Sequence, residues 1–252
     1  MKKILRNQFM IRAALAGFMI FAVASCTEPP TSPADSGSNV VMRTQLDNST
    51  VHSSSAASNL DSLQVISAAY AASNFMLRSD LSDDRSDPNL AEGFIRPPQF
   101  LLAFDAGARQ YIGENIIYAG TYRRARFDLH PLQGSPDSLA VALGPLYRAL
   151  FEGSENTAGN TTIVIRGYVW KDGIRMPFTY SSRASGNGSV YFDKPLVVVP
   201  ATAMEILVRF SSSAAFTDSS GAVMDPRDGK NAAAIETNIK EALKADLNNI
   251  GS

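Results

Sequence analysis

Ile163-Val164-Ile165-Arg166-Gly167-Tyr168-Val169-Trp170-Lys171-Asp172-Gly173-Ile174-Arg175-Met176-Pro177-Phe178-Thr179-Tyr180 is the stretch that decides the fold. Two β-branched and aromatic runs flank Asp172-Gly173. That dipeptide suits a two-residue type I′ turn, because both of its positions need positive φ. The turn sets a register: Lys171 opposite Ile174, Trp170 opposite Arg175, Val169 opposite Met176, Tyr168 opposite Pro177 and Gly167 opposite Phe178. Side chains alternate along a strand. One face therefore carries Ile165, Val169, Met176, Phe178 and Tyr180 and belongs to a core. The other carries Arg166, Tyr168, Trp170 and Arg175. Pro177 has no N–H to donate, which predicts a sheet edge on that side.

Outward from the hairpin the chain repeats the same grammar. Short apolar runs separated by turn residues predict strands at 63–70, 74–78, 99–105, 110–112, 121–129, 161–170, 175–181, 189–192, 196–199 and 204–210. Ala125, Phe127 and Leu129 alternate with Arg124, Arg126 and Asp128. Met204, Ile206, Val208 and Phe210 alternate with Glu205 and Arg209. Many short strands without intervening helices predict a mainly β fold, an antiparallel β-sandwich of immunoglobulin- or transthyretin-like type. Two helices are expected. One is short, within 137–151, interrupted at Gly144-Pro145. The other is C-terminal, where Ile235, Ile239, Leu243 and Leu247 recur every four residues. Asp228 or Asn231 is placed to cap its start.

The N-terminus speaks of export. Lys2, Lys3, Arg6 and Arg12 precede the apolar run Ala13 to Ala24, which is too short to cross a bilayer needing about 20 residues. A basic start, a short apolar run and then small residues make a secretory signal. Val23-Ala24-Ser25-Cys26 resembles the lipobox of bacterial lipoproteins, which implies a diacylglyceryl thioether on Cys26 and cleavage before it. Two or three acyl chains anchor a protein stably where one does not. Cys26 is the only cysteine, which excludes an internal disulfide and cysteine-based metal sites. Thr27, rather than the Asp that commonly retains lipoproteins in the inner membrane, points to the outer membrane.

The expected organisation is a signal at 1–25, a lipidated Cys26 with a flexible Ser/Thr/Pro-rich stalk over 26–60, a β-sandwich over 61–225 and a helix packed on it over 226–252. Within the stalk, Val40-Val41-Met42 has the composition of a short strand. The signal holds four of the 23 basic residues and none of the 24 acidic ones, so the remainder has a net charge near −5. That balance argues against nucleic acid as a partner.

Candidate chemistry is sparse. There are two histidines. His52 falls in the stalk. His130 ends a strand, and could join a Ser and an Asp in a triad, but no G-x-S-x-G elbow accompanies it. Asp225, Asp228 and Asn231, with Asp218 upstream, form an oxygen-rich loop, a weak calcium candidate without EF-hand spacing. Asp80, Asp83, Asp84 and Asp87 read as a solvated loop. Arg123, Arg124 and Arg126 read as exposed charge guarding an edge strand, or as an anion site. The outer hairpin face, Arg166, Tyr168, Trp170 and Arg175, is either covered by another element or is an aromatic platform of the kind that stacks on sugars.

Ala119-Gly120-Thr121-Tyr122-Arg123-Arg124-Ala125-Arg126-Phe127 resembles a Gly-x-Tyr-x-x-basic-aliphatic strand of exported bacterial lipoproteins. Phe100–Asp105 before it, Ile163–Tyr168 after it, and Asp225-Pro226 with Asn238-Ile239-Lys240 match further segments of that family. The resemblance covers about residues 61–245. It implies a lipoprotein β-sandwich domain without assigned activity, and it supplies no catalytic residues. The expectation is thus a membrane-anchored envelope lipoprotein acting as a binding or structural module, with a glycan or an envelope protein as partner and no cofactor. The alternatives are a carboxylate-based hydrolase and a calcium-binding envelope protein.

Overall fold

The computed structural model describes residues 37–47, 50–54, 59–79, 92–96, 99–133, 136–143 and 161–249. The signal, Cys26, the stalk up to residue 36, the acidic run 80–87 and the first helix beyond 143 lie outside the described residues.

The hairpin forms as its sequence dictates. β8 (Ile163–Lys171) and β9 (Ile174–Ser182) pair with Trp170 opposite Arg175 and Tyr168 opposite Pro177. Asp172 and Gly173 have φ of 52° and 76°, the positive pair that a type I′ turn requires. β9 ends the sheet, so Pro177 lies in an edge strand.

The remaining strands are β1 (Gly37–Leu46), β2 (Val51–His52), β3 (Ser62–Arg78), β4 (Glu92–Arg96), β5 (Phe100–Asp105), β6 (Gln110–Tyr118), β7 (Gly120–Leu129), β10 (Gly186–Val198), β11 (Ala203–Phe210) and β12 (Leu243–Asn249). All belong to one 12-stranded sheet in the order β6-β1-β11-β12-β10-β7-β3-β8-β9, with β2, β4 and β5 on β3. The fold is mainly β, but the sheet is mixed and curled. β1 runs parallel to β11 and β10 parallel to β12, so the expected purely antiparallel arrangement is not found.

The curl centres on β3. One of its edges pairs first with β8 (Ser62 to Tyr70) and then with β7 (Ala72 to Arg78). The other carries β2, β5 and β4 in turn. The changeover is bulged, with Asn74 at φ 51°. A strand that changes partner along its length bends the sheet, and here the far strands β6 and β1 come back against β4 and β5. The enclosed core holds Phe75 stacked on Phe127 (6.1 Å, 4°) and a cluster of Tyr70, Phe104 and Phe210. A smaller core lies on the outer face of β3. There α1 (Pro136–Leu143) sets Leu139 beside Ala69, Ala71, Leu101 and Val164.

Two sequence expectations are corrected. The flexible stalk over 26–60 does not hold over residues 37–46 and 51–52. Residues 37–46 form β1, an interior strand between β11 and β6. Val40, Met42 and Leu46 are buried in the main core, and Thr44 donates its hydroxyl to the Ala103 carbonyl. The C-terminal helix over 226–252 is also shorter than expected. It is α3 (Ala232–Glu241), preceded by a 3₁₀ turn at Gly229–Asn231. Its Ile235 and Ile239 are buried as the stripe predicts. Leu243 is buried too, but in β12, opposite Phe210. Asn231 stands at the N-cap of α3 without a side-chain cap bond, whereas Asp228 caps the 3₁₀ turn, accepting from the Lys230 N–H. α2 (Ser212–Phe216) packs Phe216 on Phe178, and Tyr70 donates to the Ile239 carbonyl at 3.1 Å.

Gly167 fixes how closely β8 lies on β3. A Cβ there would stand 2.1 Å from the Gln64 carbonyl oxygen and 2.8 Å from Phe178 Cε1. Gly167→Ala is expected to cost about 3 kcal/mol, the upper part of the overpacking range. Gly173 has open space around it. Gly173→Ala should therefore cost only the left-handed backbone penalty of roughly 1–2 kcal/mol. Urea denaturation of the two variants checks the order.

Candidate ligand-binding face

The outer hairpin face gathers the four residues that the register places together. Tyr168 and Trp170 stand side by side, ring centroids 6.3 Å apart and tilted by 60°. The Arg175 guanidinium lies 3.5 Å above the Tyr168 ring. Arg175 is directly opposite Trp170, so this is a diagonal contact, within reach of a long side chain. The guanidinium stacks on Tyr168 and not on Trp170, the residue it faces across the strand pair. Arg166 follows two residues further along β8, opposite Thr179.

Trp170, Tyr168 and Arg166 are half-buried and Arg175 is exposed. The row is thus neither core nor a set of loose side chains. β3 flanks it with Ser62 and Gln64, which pair with Trp170 and Tyr168. These two neighbours were not singled out from sequence, although any third strand beside β8 must place polar residues there. A guanidinium stacked on a ring loses rotamer freedom but keeps its N–H edge. Such an edge suits bidentate recognition of a carboxylate, while the indole offers an apolar face to sugar C–H groups.

The other candidates are placed as follows. Asp225, Asp228 and Asn231 do not converge as a ligand set. The Asp225 carboxylate takes Arg227 through two hydrogen bonds (2.9 and 2.7 Å), Asp228 caps the 3₁₀ turn, and Asn231 donates its amide to the Asp225 carbonyl. Burial opposes ionisation of Asp225, but the hydrogen bonds from Arg227 and the charges of Arg227 and Lys171 outweigh it and hold its carboxyl below the usual range. The Asp218 carboxyl is held low chiefly by the Ser220 hydroxyl. No group of three His, Cys, Asp or Glu among the described residues is arranged to hold a metal ion.

His130 Nε2 lies 2.8 Å from Ser73 Oγ, and Nδ1 lies 3.0 Å from the Pro131 carbonyl oxygen. The nearby Asp128 accepts instead from Asn74. Ser73 is 4% exposed, too deep to attack an external carbonyl. The triad option is not assembled.

Arg124 and Arg126 are corrected as well. β7 lies between β10 and β3 and is not an edge. Both arginines are buried beside Arg78, and only Arg123 points to solvent. Glu205, which alternation placed outside, is also buried and held by Arg43 (3.0 Å) and Arg109 (2.9 Å).

No family model and no curated protein matches this chain. Among solved structures, the chain is similar to MbnP from Methylosinus trichosporium. The similarity covers 85% of this chain and 99% of that one at 13% identity, with a TM-score of 0.35. No helix among the described residues is long and apolar enough to cross a membrane.

Proposed function

We propose that this protein is an exported lipoprotein, held by acyl chains on Cys26 at the outer membrane, whose domain is a binding module for a carboxylate-bearing glycan of the cell envelope. The signal layout and the Val23-Ala24-Ser25-Cys26 lipobox support the anchor. One observation carries the ligand class: an arginine held by stacking at 3.5 Å over Tyr168, beside a half-buried indole, on an edge hairpin. A uronic-acid-like residue satisfies both parts. Its ring C–H face stacks on Trp170, and its carboxylate meets the Arg175 guanidinium.

Trp170 is the only tryptophan, so intrinsic fluorescence reports this face alone. Titration with uronate-containing oligosaccharides is expected to quench it saturably, and matched neutral oligosaccharides should bind more weakly. Trp170→Ala should weaken binding at least about 30-fold, the roughly 2 kcal/mol of an interface hot spot, while changing stability little. Arg175→Ala should remove the preference for acidic over neutral glycans. A Trp170→Ala variant that instead loses about 3 kcal/mol of stability, as core truncations do, would make the residue structural and the reading wrong.

A further inference from the structure

We infer that the end of the fold opposite the hairpin rests directly on the lipid bilayer; this rests on the proposed acylation of Cys26. The strand directions define two ends. Gly37 of β1, Tyr118 of β6, Gly120 of β7, Val198 of β10, Ala203 of β11 and Asn249 of β12 lie together at one. β3 leads away from that end, from Arg78 to Ser62, where the Asp172-Gly173 turn sits. β3 has 17 residues, about 55 Å of chain if straight at some 3.3 Å per residue.

Three of the segments that converge at the first end carry no charge, with Arg78 of β3, its partner Glu92 on β4 and the exposed Arg123 of β7 bordering them. Residues 37–42, 115–122 and 195–204 contain no Asp, Glu, Lys, Arg or His. They nevertheless expose large apolar side chains: Tyr118 at 58%, Val197 at 51%, Val199 at 50% and Ile116 at 46%. The segments are knit together, since Ser38 donates to the Val199 carbonyl and the Ala201 N–H to the Gly37 carbonyl at 3.0 Å. A groove of about 690 Å³ opens among Val197, Val199, Ala203 and Met204, lined also by Asp193, Lys194 and Asp246. The opposite end is the reverse in kind, with Lys171, Asp172, Asp218, Asp225, Arg227 and Lys230 around the hairpin tip.

Contiguous exposed apolar surface marks a protein or membrane contact. The tether selects the membrane. Because β1 begins at Gly37, ten residues separate it from Cys26, a typical span of roughly 17 Å. The chain therefore enters the domain at the end that exposes these apolar side chains, close to the acyl chains. Tyr118 and the three aliphatic residues are of the kind that settle at a headgroup boundary. The same placement turns the hairpin face away from the bilayer.

The full lipidated protein, reconstituted in phosphatidylethanolamine–phosphatidylglycerol vesicles, tests this. With Cys26 acylated, Val199→Cys carries the sole free thiol for an environment-sensitive fluorophore; Tyr118→Cys is the second site and Asp172→Cys the distal reference. Expected are flotation with the vesicles, a blue-shifted label at 199 and 118 that loses most of its emission to shallow nitroxide-labelled lipids, and an unquenched label at 172. Flotation with no quenching at 199 or 118 overturns the membrane contact and leaves the anchor intact. A blue shift there without lipid quenching means that protein, a second copy or another chain, covers this end, and also overturns it. Loss of flotation for the unsubstituted protein overturns the anchor itself and this inference with it.

Discussion

A chain that begins at Leu60 is expected not to fold. β1 lies in the sheet interior, hydrogen-bonded along one edge to β11 and along the other to β6. Its Val40, Met42 and Leu46 are at most 1% exposed. Burying three such side chains is worth about 5–9 kcal/mol, which is comparable to the whole stability of an ordinary domain, about 5–15 kcal/mol. Removal also bares both neighbouring strands as unpaired edges that invite association. Thermal and urea unfolding of the 60–252 chain should show no cooperative transition. Met42→Asp in the full chain should cost on the order of 3–5 kcal/mol, as an unpaired charge placed in a core does. A cooperative transition in the shortened chain, near that of the full one, would show that residues 37–46 contribute nothing to the fold.

The second large effect lies at the other end of the chain. Leu243→Asp is expected to destabilise by on the order of 3–5 kcal/mol, because Leu243 is buried opposite Phe210. Lys244→Asp should be nearly neutral, since Lys244 is exposed. Ala245→Pro probes the interior position of β12. Ala245 bridges Val208 on one side and Phe192 on the other. A proline there removes a ladder hydrogen bond from an interior strand and should abolish cooperative folding. Comparable melting temperatures for Leu243→Asp and Lys244→Asp would contradict the assigned strand.

What the sequence discloses follows from how local each signal is. The hairpin is legible because Asp172-Gly173 fixes the turn type, the turn fixes the register, and the register fixes the faces. The four residues of the candidate face therefore come together as expected. The diagonal stacking of Arg175 on Tyr168 was not legible, because it is a choice among rotamers rather than a matter of register. Val40-Val41-Met42 is legible as a short strand, but the full length of β1 is hidden by its surroundings. Val40, Met42, Thr44 and Leu46 alternate with Asn39, Val41, Arg43 and Gln45, yet Ser/Thr/Pro-rich sequence before and Ser53 to Ser58 after give the window a linker's composition. The terminal helix was over-extended for a different reason. A spacing of four satisfies a helical stripe and a two-residue alternation equally, so Ile235 and Ile239 fall on a helix while Leu243 falls on a strand. Buried Arg124, Arg126 and Glu205 show where alternation fails: in a sheet that curls back on itself, an outward-facing position can be covered by another part of the chain.

The curled sheet also gives the proposal its polarity. A short tether from Cys26, an end at Gly37 that exposes apolar side chains and a cationic aromatic face on the distal hairpin form one arrangement. The most direct test is mass spectrometry of the first tryptic peptide of the protein extracted from membranes. No Lys or Arg lies between Cys26 and Arg43, so that peptide runs 26–43. The account predicts that residues 1–25 are gone and that Cys26 carries a diacylglyceryl group, with or without a third acyl chain on its amine. An unmodified Cys26, or a mature chain that begins elsewhere, would contradict it.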